Sequence, residues 1–202
     1  REALGAEIKA ARAKLADLRA KKAPKAVARV EKKLVALNEL QRETAIRLPG
    51  KDPVDADYEI VEMNDIIVSH DPESFNQNPL YPKGIQERDY HRDKNLQMAV
   101  SQPLDPDQVV NNSPLATSGA PIVTPSGIVL GGNGRSMRIA KHYSSRAGGK
   151  AYRDSLISRA AQFGIDPSVI ANLDRPVLIR RLRDEPEDMA QMSVDLNRDS
   201  TL

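Results

Sequence analysis

The sequence predicts an α+β protein in which an N-terminal helical hairpin is followed by a small mixed sheet with flanking helices. Through the first 48 residues, apolar side chains recur at spacings of three and four, as on one face of a helix. Short β-branched runs bounded by glycine and proline, which are typical of strands and turns, come later in the chain. All aromatic side chains also lie in that later part, so the core with bulky side chains is expected there. They are Tyr58, Phe75, Tyr81, Tyr90, Tyr143, Tyr152 and Phe163.

The charges divide the chain at the same place. The whole sequence has 30 Lys and Arg against 28 Asp and Glu, a net charge of +2. Residues 1–48 contain 13 of the basic and 6 of the acidic side chains, a net of +7, which leaves −5 for the remaining 154 residues. A basic segment therefore precedes an acidic one.

Length and composition exclude several classes of protein. A chain of 202 residues suits one domain of ordinary size with an accessory element. The sequence has no Cys, so disulfides, Cys-ligated zinc or iron–sulfur sites and thiol nucleophiles are excluded. No apolar run approaches the roughly 20 residues needed to cross a bilayer, so no membrane span is expected. Because the first residue is Arg1, the chain is expected to be a fragment or a processed product of a larger polypeptide or assembly.

Residues 1–48 are predicted to form two helices packed as a coiled-coil-like hairpin. Pro24 interrupts the first apolar stripe and suits the first turn of a second helix. The basic surface is consistent with contact to nucleic-acid phosphates, although no aromatic side chain is interleaved to stack on bases. It is equally consistent with a solvated spacer, or with packing on a partner protein. The two stripes are Leu4, Ile8, Ala11, Leu15 and Leu18, then Val27, Val30, Leu34, Leu37 and Leu40.

A linker is expected at residues 49–57, where Pro49, Gly50 and Pro53 oppose regular structure. Alternating apolar and acidic residues then predict a half-buried strand over 58–63. The prolines of residues 72–82 predict an ordered loop. A helix is predicted over 95–112, and two further prolines are expected to split it.

The segment from Tyr81 to Asp93 mixes Gln, Arg, His and acidic residues. Such a mixture suits either a polar ligand or a surface network of ion pairs. No metal site is predicted, because neither a His pair nor His-x-x-x-Glu spacing is present. His70 and His91 are candidates for acid–base roles, or are simply hydrogen-bonded loop residues.

The C-terminal third is expected to complete the core. Tyr152 to Phe163 has helical spacing, and Asp166-Pro167 is a helix cap followed by a first-turn proline. Residues 177–182 are predicted to form a last strand with Arg180, Arg181 and Arg183 at its edge. The globular part is therefore expected to span 58–183, followed by an acidic tail at 184–202 that is extended or docks on the basic hairpin.

A candidate phosphate-binding loop lies between a predicted hairpin and a helix. Residues 120–130 form two short β-branched runs joined by Thr-Pro-Ser-Gly, which predicts a β-hairpin. A glycine-rich turn before a helix lets the backbone approach an anion, and the free N–H groups of the helix start then point at it. The residues of this loop are Gly131, Gly132, Asn133, Gly134, Arg135 and Ser136.

Arg135 offers a planar donor fork for phosphate, and Arg138 and His142 follow three and seven residues later along the same helical stripe. The loop is not a Walker loop, because the required spacing of glycine and lysine is absent. It is not the dinucleotide fingerprint either, since Met137 occupies the position of the third glycine. The simpler interpretation is a tight turn with left-handed glycines and a solvated arginine.

The order of these motifs resembles the ParB/sulfiredoxin superfamily, and most closely the DdrB-like ParB domains of phage and mobile-element polyvalent proteins. The hairpin reads P-I-V-x-P-x-G-x-V-L before the glycine-rich loop and helix. The likeness runs from about residue 58 to residue 182. The other shared motifs are Ser69-His70-Asp71, Asn78-Pro79-Leu80-Tyr81-Pro82, Gln86-Glu87-Arg88 and Gly132-Asn133-Gly134-Arg135.

The resemblance implies that Gln86 and Arg88 border a nucleotide, although Glu87 replaces the usual proline, and that residues 131–135 meet its phosphates. Asn133 stands where sulfiredoxin has its catalytic cysteine, so peroxiredoxin repair is excluded. Residues 153–159 lack the Glu and Asn of the later motif of CTP-hydrolysing ParB proteins, and no helix-turn-helix is evident.

The glycine-rich loop and the resemblance together predict a domain that binds the phosphates of a nucleotide or a nucleic acid. The resemblance implies that this domain belongs to a phage or mobile-element protein. It would act on DNA or in defence against host restriction, in the bacterial cytoplasm or the phage virion. CTP or ATP with Mg²⁺ are the expected ligands, and whether they are hydrolysed stays open. One alternative is a structural or virion-associated interaction module that has lost catalysis. Another is an unrelated transferase or hydrolase that uses Arg135 and His142 on a phosphorylated substrate.

Overall fold

The computed structural model describes residues 1–85, 88–145 and 149–197, and confirms the α+β class. Its sheet has five strands in the spatial order β1-β2-β5-β3-β4. The sheet is mixed, because β3 and β5 run parallel while the other neighbours are antiparallel. The strands are β1 (Glu43–Ile46), β2 (Val54–Glu62), β3 (Ile122–Val123), β4 (Val129–Gly131) and β5 (Pro176–Leu182).

Side-chain caps and first-turn prolines set where several helices begin. Asp93, Asp105 and Asp166 each accept a hydrogen bond from a backbone N–H of the helix that follows. The helices are α1 (Glu2–Ala20), α2 (Pro24–Arg42), α3 (Lys94–Ser101), α4 (Pro106–Val109), α5 (Asn133–Ser144), α6 (Lys150–Arg159), α7 (Pro167–Ala171) and α8 (Met189–Asn197), with 3-10 turns at Met63–Asp65 and Ala160–Phe163. No helix in the described part of the chain is both long and apolar enough to cross a bilayer.

The helical hairpin is confirmed, but it is shorter than the sequence predicted. Its two stripes meet through buried residues that include Ile8, Leu15 and Leu34. The chain then passes directly into β1, which pairs with β2 from Glu43↔Asp57 to Ile46↔Val54. This pairing extends strand structure into the segment expected to be a linker, where β2 begins immediately after Pro53.

The hairpin is docked on the turn that follows α6. Gln41 Nε2 donates to the carbonyl of Gln162 at 2.5 Å, and Arg12 Nη2 donates to that of Ile165 at 2.7 Å. Arg42 Nε reaches the carbonyl of Gly164 at 3.2 Å. Two of the basic side chains of residues 1–48 therefore satisfy backbone groups of the mixed-sheet domain.

The main core lies between one face of the sheet and the helices that cover it. Tyr58 on β2 packs edge to face on Phe163, with ring centroids 4.8 Å apart. Leu178 on β5 donates its N–H to the hydroxyl of Tyr152 on α6 at 3.1 Å. A second cluster, which includes Ile122, Leu130 and Leu182, brings in α8 through Leu196.

Arg180 is not at an edge, as the sequence suggested, because β5 is the central strand. Its side chain is 0% exposed and donates only to backbone carbonyls. In contrast, Arg181 and Arg183 do form ion pairs, at 2.6 Å with Glu59 and 3.0 Å with Asp57. The acceptors of Arg180 are Ser113, Leu115, Ser118 and Ala120, at 2.7–3.2 Å. One buried arginine thus organises the loop 113–120.

The prediction of an extended tail was wrong for residues 189–197, which form α8. This helix packs against β4 and not on the basic hairpin. The reason is apolar burial, because Leu196 is 1% exposed and Met189 and Met192 pack on the second cluster.

We expect Gly164→Ala to undock the hairpin, because a Cβ there would lie 2.1 Å from the carbonyl oxygen of Asn38. Gly50→Ala is the matched control. The φ angle of Gly50, +67°, is close to the +65° of Gly164, but a Cβ on Gly50 would have no atom within 4 Å. The left-handed backbone alone should lower the free energy of unfolding of each variant by about 1–2 kcal/mol. Gly164→Ala should lose about 1–3 kcal/mol more from overpacking, measured by urea unfolding. Equal losses for the two variants would contradict this docking geometry.

Candidate anion-binding site

The candidate site begins where β4 turns into α5. Gly131 ends the strand, Gly132 is the N-cap residue with a φ of +88°, and Asn133 already belongs to the helix. The second half of the predicted loop is therefore the first helical turn. The N–H groups of Asn133, Gly134 and Arg135 have no acceptor within the helix, because its first bond runs from Ser136 N to Gly132 O at 2.9 Å.

Each glycine of the turn makes room for a close neighbour. A Cβ on Gly131 would lie 3.0 Å from Ile122 Cδ1, and one on Gly134 would lie 3.2 Å from the hydroxyl of Tyr90. A Cβ on Gly132 would lie 2.6 Å from the Nε and Nη2 atoms of Arg135. Gly132 thus permits both the turn and the guanidinium that folds back across it.

The side chains of Asn133 and Ser136 have internal partners. Asn133 is 2% exposed and accepts the N–H of Ser69 at 2.8 Å. Its amide nitrogen donates to the carbonyl of Val129 at 2.9 Å and the hydroxyl of Tyr81 at 3.2 Å. Burial raises the pKa of that tyrosine to about 12. Ser136 Oγ donates to the carbonyl of Gly132 at 3.2 Å. These two residues anchor the turn, and of the two only Asn133 has a backbone N–H without an acceptor in the helix.

Arg135 is held in place by only part of its hydrogen-bonding capacity. Nη2 donates to the carbonyl of Ala116 at 2.7 Å. Nε and Nη1 are buried and find no acceptor in the described part of the chain. Burial, reinforced by the neighbouring charge of Arg180, lowers the pKa of the Arg135 guanidinium to about 9. A buried cation with unused donors is a favourable partner for an anion.

Positive charge around the loop 113–120 is not balanced by carboxylates. Arg180 and Arg135 together donate to five backbone carbonyls of this loop. Neither forms an ion pair with an acidic side chain within residues 1–85, 88–145 and 149–197. Carbonyl oxygens satisfy the N–H groups but do not neutralise the charge, so the site retains an excess of positive potential.

Arg135 borders a cavity of about 370 Å³ next to the first turn of α5. Its described lining residues include three arginines and no Asp or Glu. One side is apolar and comes from α3, whereas Gly134 and the arginines form a cationic side. The lining consists of Arg88, Tyr90, Leu96, Ala99, Val100, Thr117, Gly134, Arg135, Arg138 and Asn197.

The structure brings together some of the predicted ligand-contacting residues. Arg88, Arg135 and Arg138 share the cavity, and Arg138 Nη2 also donates to the carbonyl of Pro103 at 2.6 Å. His142 is further along α5 and is not among the lining residues; its buried Nε2 has no hydrogen-bond partner in the described chain. Gln86 lies outside the described residues.

Several lining residues carried no signal in the sequence. The sequence indicates only the apolar part of a helix for Leu96, Ala99 and Val100. Thr117 lies in an irregular loop. Asn197 was assigned to the tail. The buried state of Arg180, which positions the loop of Thr117, could have been suspected only from its place within an apolar run.

His70 lies beside the cavity rather than in it. Its Nδ1 is 3.0 Å from the hydroxyl of Ser69, and its ring centroid is 5.0 Å from that of Tyr90. Burial lowers the pKa of His70, which favours the neutral imidazole near pH 7. The described residues form no group of three or more His, Asp or Glu side chains placed to hold a metal ion.

Comparison with known proteins adds one match. The family model described as a ddrB-like ParB superfamily domain matches residues 49–183, about two thirds of the chain. The match begins inside the segment expected to be a linker and ends just after β5. No curated protein matches the chain, and no solved structure does.

We expect inorganic pyrophosphate to stabilise the protein through Arg135. At ten times its Kd, a ligand of the folded state adds about 1.4 kcal/mol, or roughly 3–6 °C in Tm for a chain of this size. Arg135→Ala should remove this increase, because the buried donors are lost. Arg29→Ala, which changes an exposed arginine on α2, is the control and should retain it. An unchanged pyrophosphate response in Arg135→Ala, measured by scanning calorimetry, would place the anion elsewhere.

Proposed function

Because the chain belongs to the ddrB-like ParB superfamily, we propose that it binds the phosphate groups of a nucleotide or a nucleic acid in the cavity at the start of α5. The observation that carries this proposal is the buried guanidinium of Arg135, in which two nitrogens, Nε and Nη1, have no acceptor in the described chain. It stands in the first turn of a helix, where the backbone N–H groups and the helix dipole favour an anion.

The cavity suits a ligand larger than a free phosphate. Its volume of about 370 Å³ lies within the range of small-molecule sites. Leu96 and Val100 of α3 provide an apolar surface opposite the cationic side, on which a base or a sugar can pack. We therefore favour a nucleoside triphosphate, CTP or ATP, as the ligand. Such a ligand brings Mg²⁺ bound to its own phosphates.

Turnover is a separate proposal from binding. Hydrolysis requires a group that accepts a proton from water, and the candidate is His70, whose ring centroid lies 5.0 Å from that of the cavity residue Tyr90 and whose pKa is lowered by burial. Arg88 borders both the cavity beside Arg135 and a second cavity that His70 helps to line. An Arg88→Ala variant that binds nucleotide without turnover would support catalysis, whereas absence of turnover in the wild type would favour a binding module.

The alternative is a structural or virion-associated interaction module, and one observation favours it. The glycines of the turn are all explained by close packing, and the side chains of Asn133 and Ser136 are used internally. A tight strand-to-helix turn could keep these residues without any ligand. The buried donors of Arg135, which packing does not satisfy, are the reason we rank nucleotide binding first.

We expect Ala99→Asp to weaken CTP or ATP binding at least tenfold, because it places a carboxylate among the phosphates and arginines of the cavity. Met98→Asp is the matched control. Met98 is the preceding residue of α3 and is 57% exposed, but it does not line the cavity. Isothermal titration calorimetry of both variants tests the location. Equal weakening would indicate long-range repulsion, and no nucleotide binding by the wild type would remove the proposal itself.

For DNA, we expect the helical hairpin to add phosphate contacts. Deleting the hairpin would expose its docking surface, so neutralising exposed lysines is the cleaner change. The triple variant Lys14→Gln, Lys25→Gln and Lys32→Gln should reduce the magnitude of the slope of log K against log salt by up to about 3 on duplex DNA. These lysines are exposed on α1 and α2 and form no ion pair within the described chain. An unchanged slope would assign the hairpin to a spacer or to protein contacts.

A further inference from the structure

Helix α8 packs on β4, the strand that leads into the anion site. In the strand order β4 is the last strand; it pairs with β3, and Ile128 just before it forms an isolated bridge with Ile67. The carbonyl of Leu130 accepts hydrogen bonds from Ser193 Oγ at 3.2 Å and from Asn197 Nδ2 at 3.4 Å. Gly131 and Gly132 follow directly, so α8 is fixed to the same backbone that positions the first turn of α5.

Two further contacts hold α8 in this position. Leu196 is buried in the cluster that contains Leu130 and Ile122. The carboxylate of Asp195, which is 6% exposed, forms an ion pair with Lys51 in the connection between β1 and β2. Apolar burial and a largely desolvated ion pair therefore dock a helix that lies outside the matched family domain of residues 49–183.

At its last residue, α8 reaches the ligand cavity. Asn197 lines the cavity together with Arg135 and Thr117. Its amide nitrogen is used by two carbonyls, that of Leu130 and that of Ser193 at 2.7 Å. Because an amide nitrogen has two N–H groups, this leaves Oδ1, which can only accept a hydrogen bond, for another partner.

We propose that α8 is part of the ligand site, and that Asn197 Oδ1 accepts a hydrogen bond from a donor group of the bound nucleotide. This inference rests on the proposed nucleotide binding and extends it to specificity. The cationic side of the cavity binds phosphates, which carry acceptors only, whereas Asn197 selects for a donor. The ribose 2′- and 3′-hydroxyls and the base amino group are the donors that CTP offers there.

The test compares CTP, 2′-deoxy-CTP, 3′-deoxy-CTP and UTP on the wild type, Asn197→Ala and Val194→Ala by isothermal titration calorimetry. Val194 lies on the same helix, is 44% exposed and does not line the cavity, so it is the control. Loss of one hydrogen bond should raise the Kd for CTP about three- to tenfold in Asn197→Ala and leave it unchanged in Val194→Ala. Asn197→Ala also loses the hydrogen bonds to the carbonyls of Leu130 and Ser193, so looser docking of α8 should lower its Tm and weaken all ligands alike.

The ligands then identify the donor. If it is one of the two ribose hydroxyls, Asn197→Ala should bind the deoxy-CTP that lacks this hydroxyl as the wild type does; if it is the amino group, the same should hold for UTP. An equal loss for all four ligands would assign Asn197 a structural role and overturn the inference. Unchanged CTP binding by Asn197→Ala would overturn it as well, while the proposed nucleotide binding would stand. No binding of any of the four by the wild type would remove both.

Discussion

Positive charge that is buried with no balancing carboxylate among the described residues is the constraint on which the proposed site depends. Arg180 in the central strand and Arg135 at the start of α5 hold the loop 113–120 by its carbonyl oxygens. Desolvating a guanidinium is costly, and carbonyl dipoles recover only part of that cost. On the proposed function, an anion that enters the cavity beside Arg135 adds to the stability of the folded state. Ligand affinity and fold stability would then be linked through the same side chain.

Most residues of the glycine-rich turn serve the fold, and only some of its donors are proposed to contact a ligand. Its glycines admit Ile122, Tyr90 and the Arg135 guanidinium at short range, and Asn133 ties the helix start to the backbone of Ser69. These contacts shape the turn whether or not a ligand is present. Among the described residues, Nε and Nη1 of Arg135 have no acceptor, and the N–H groups that precede Ser136 in α5 have none within the helix. The same motif on another chain, without such an arginine, would be a turn and not a site.

Features that depend on neighbouring residues in the sequence could be predicted, whereas features that depend on contacts between distant residues could not. The hairpin, the Asp166 cap and the β4–α5 turn arise from neighbours in the chain, and their positions were predicted to within a few residues. Strand β1 and helix α8 were missed, because their stability comes from pairing with β2 and from burial against β4. The burial of Arg180 was missed for the same reason: its four acceptors lie 60 or more residues away in sequence.

The central claim is that Arg135 and the first turn of α5 bind phosphate, and proton–nitrogen NMR of the wild-type protein during titration with CTP or ATP tests it most directly. The account predicts that the Arg135 Nε–H signal and the amide signals of Gly134 and Arg135 shift the furthest downfield, because each N–H gains an anionic acceptor. Saturable nucleotide binding that leaves these three signals in place, with the largest shifts on the helical hairpin or around His70, would contradict it.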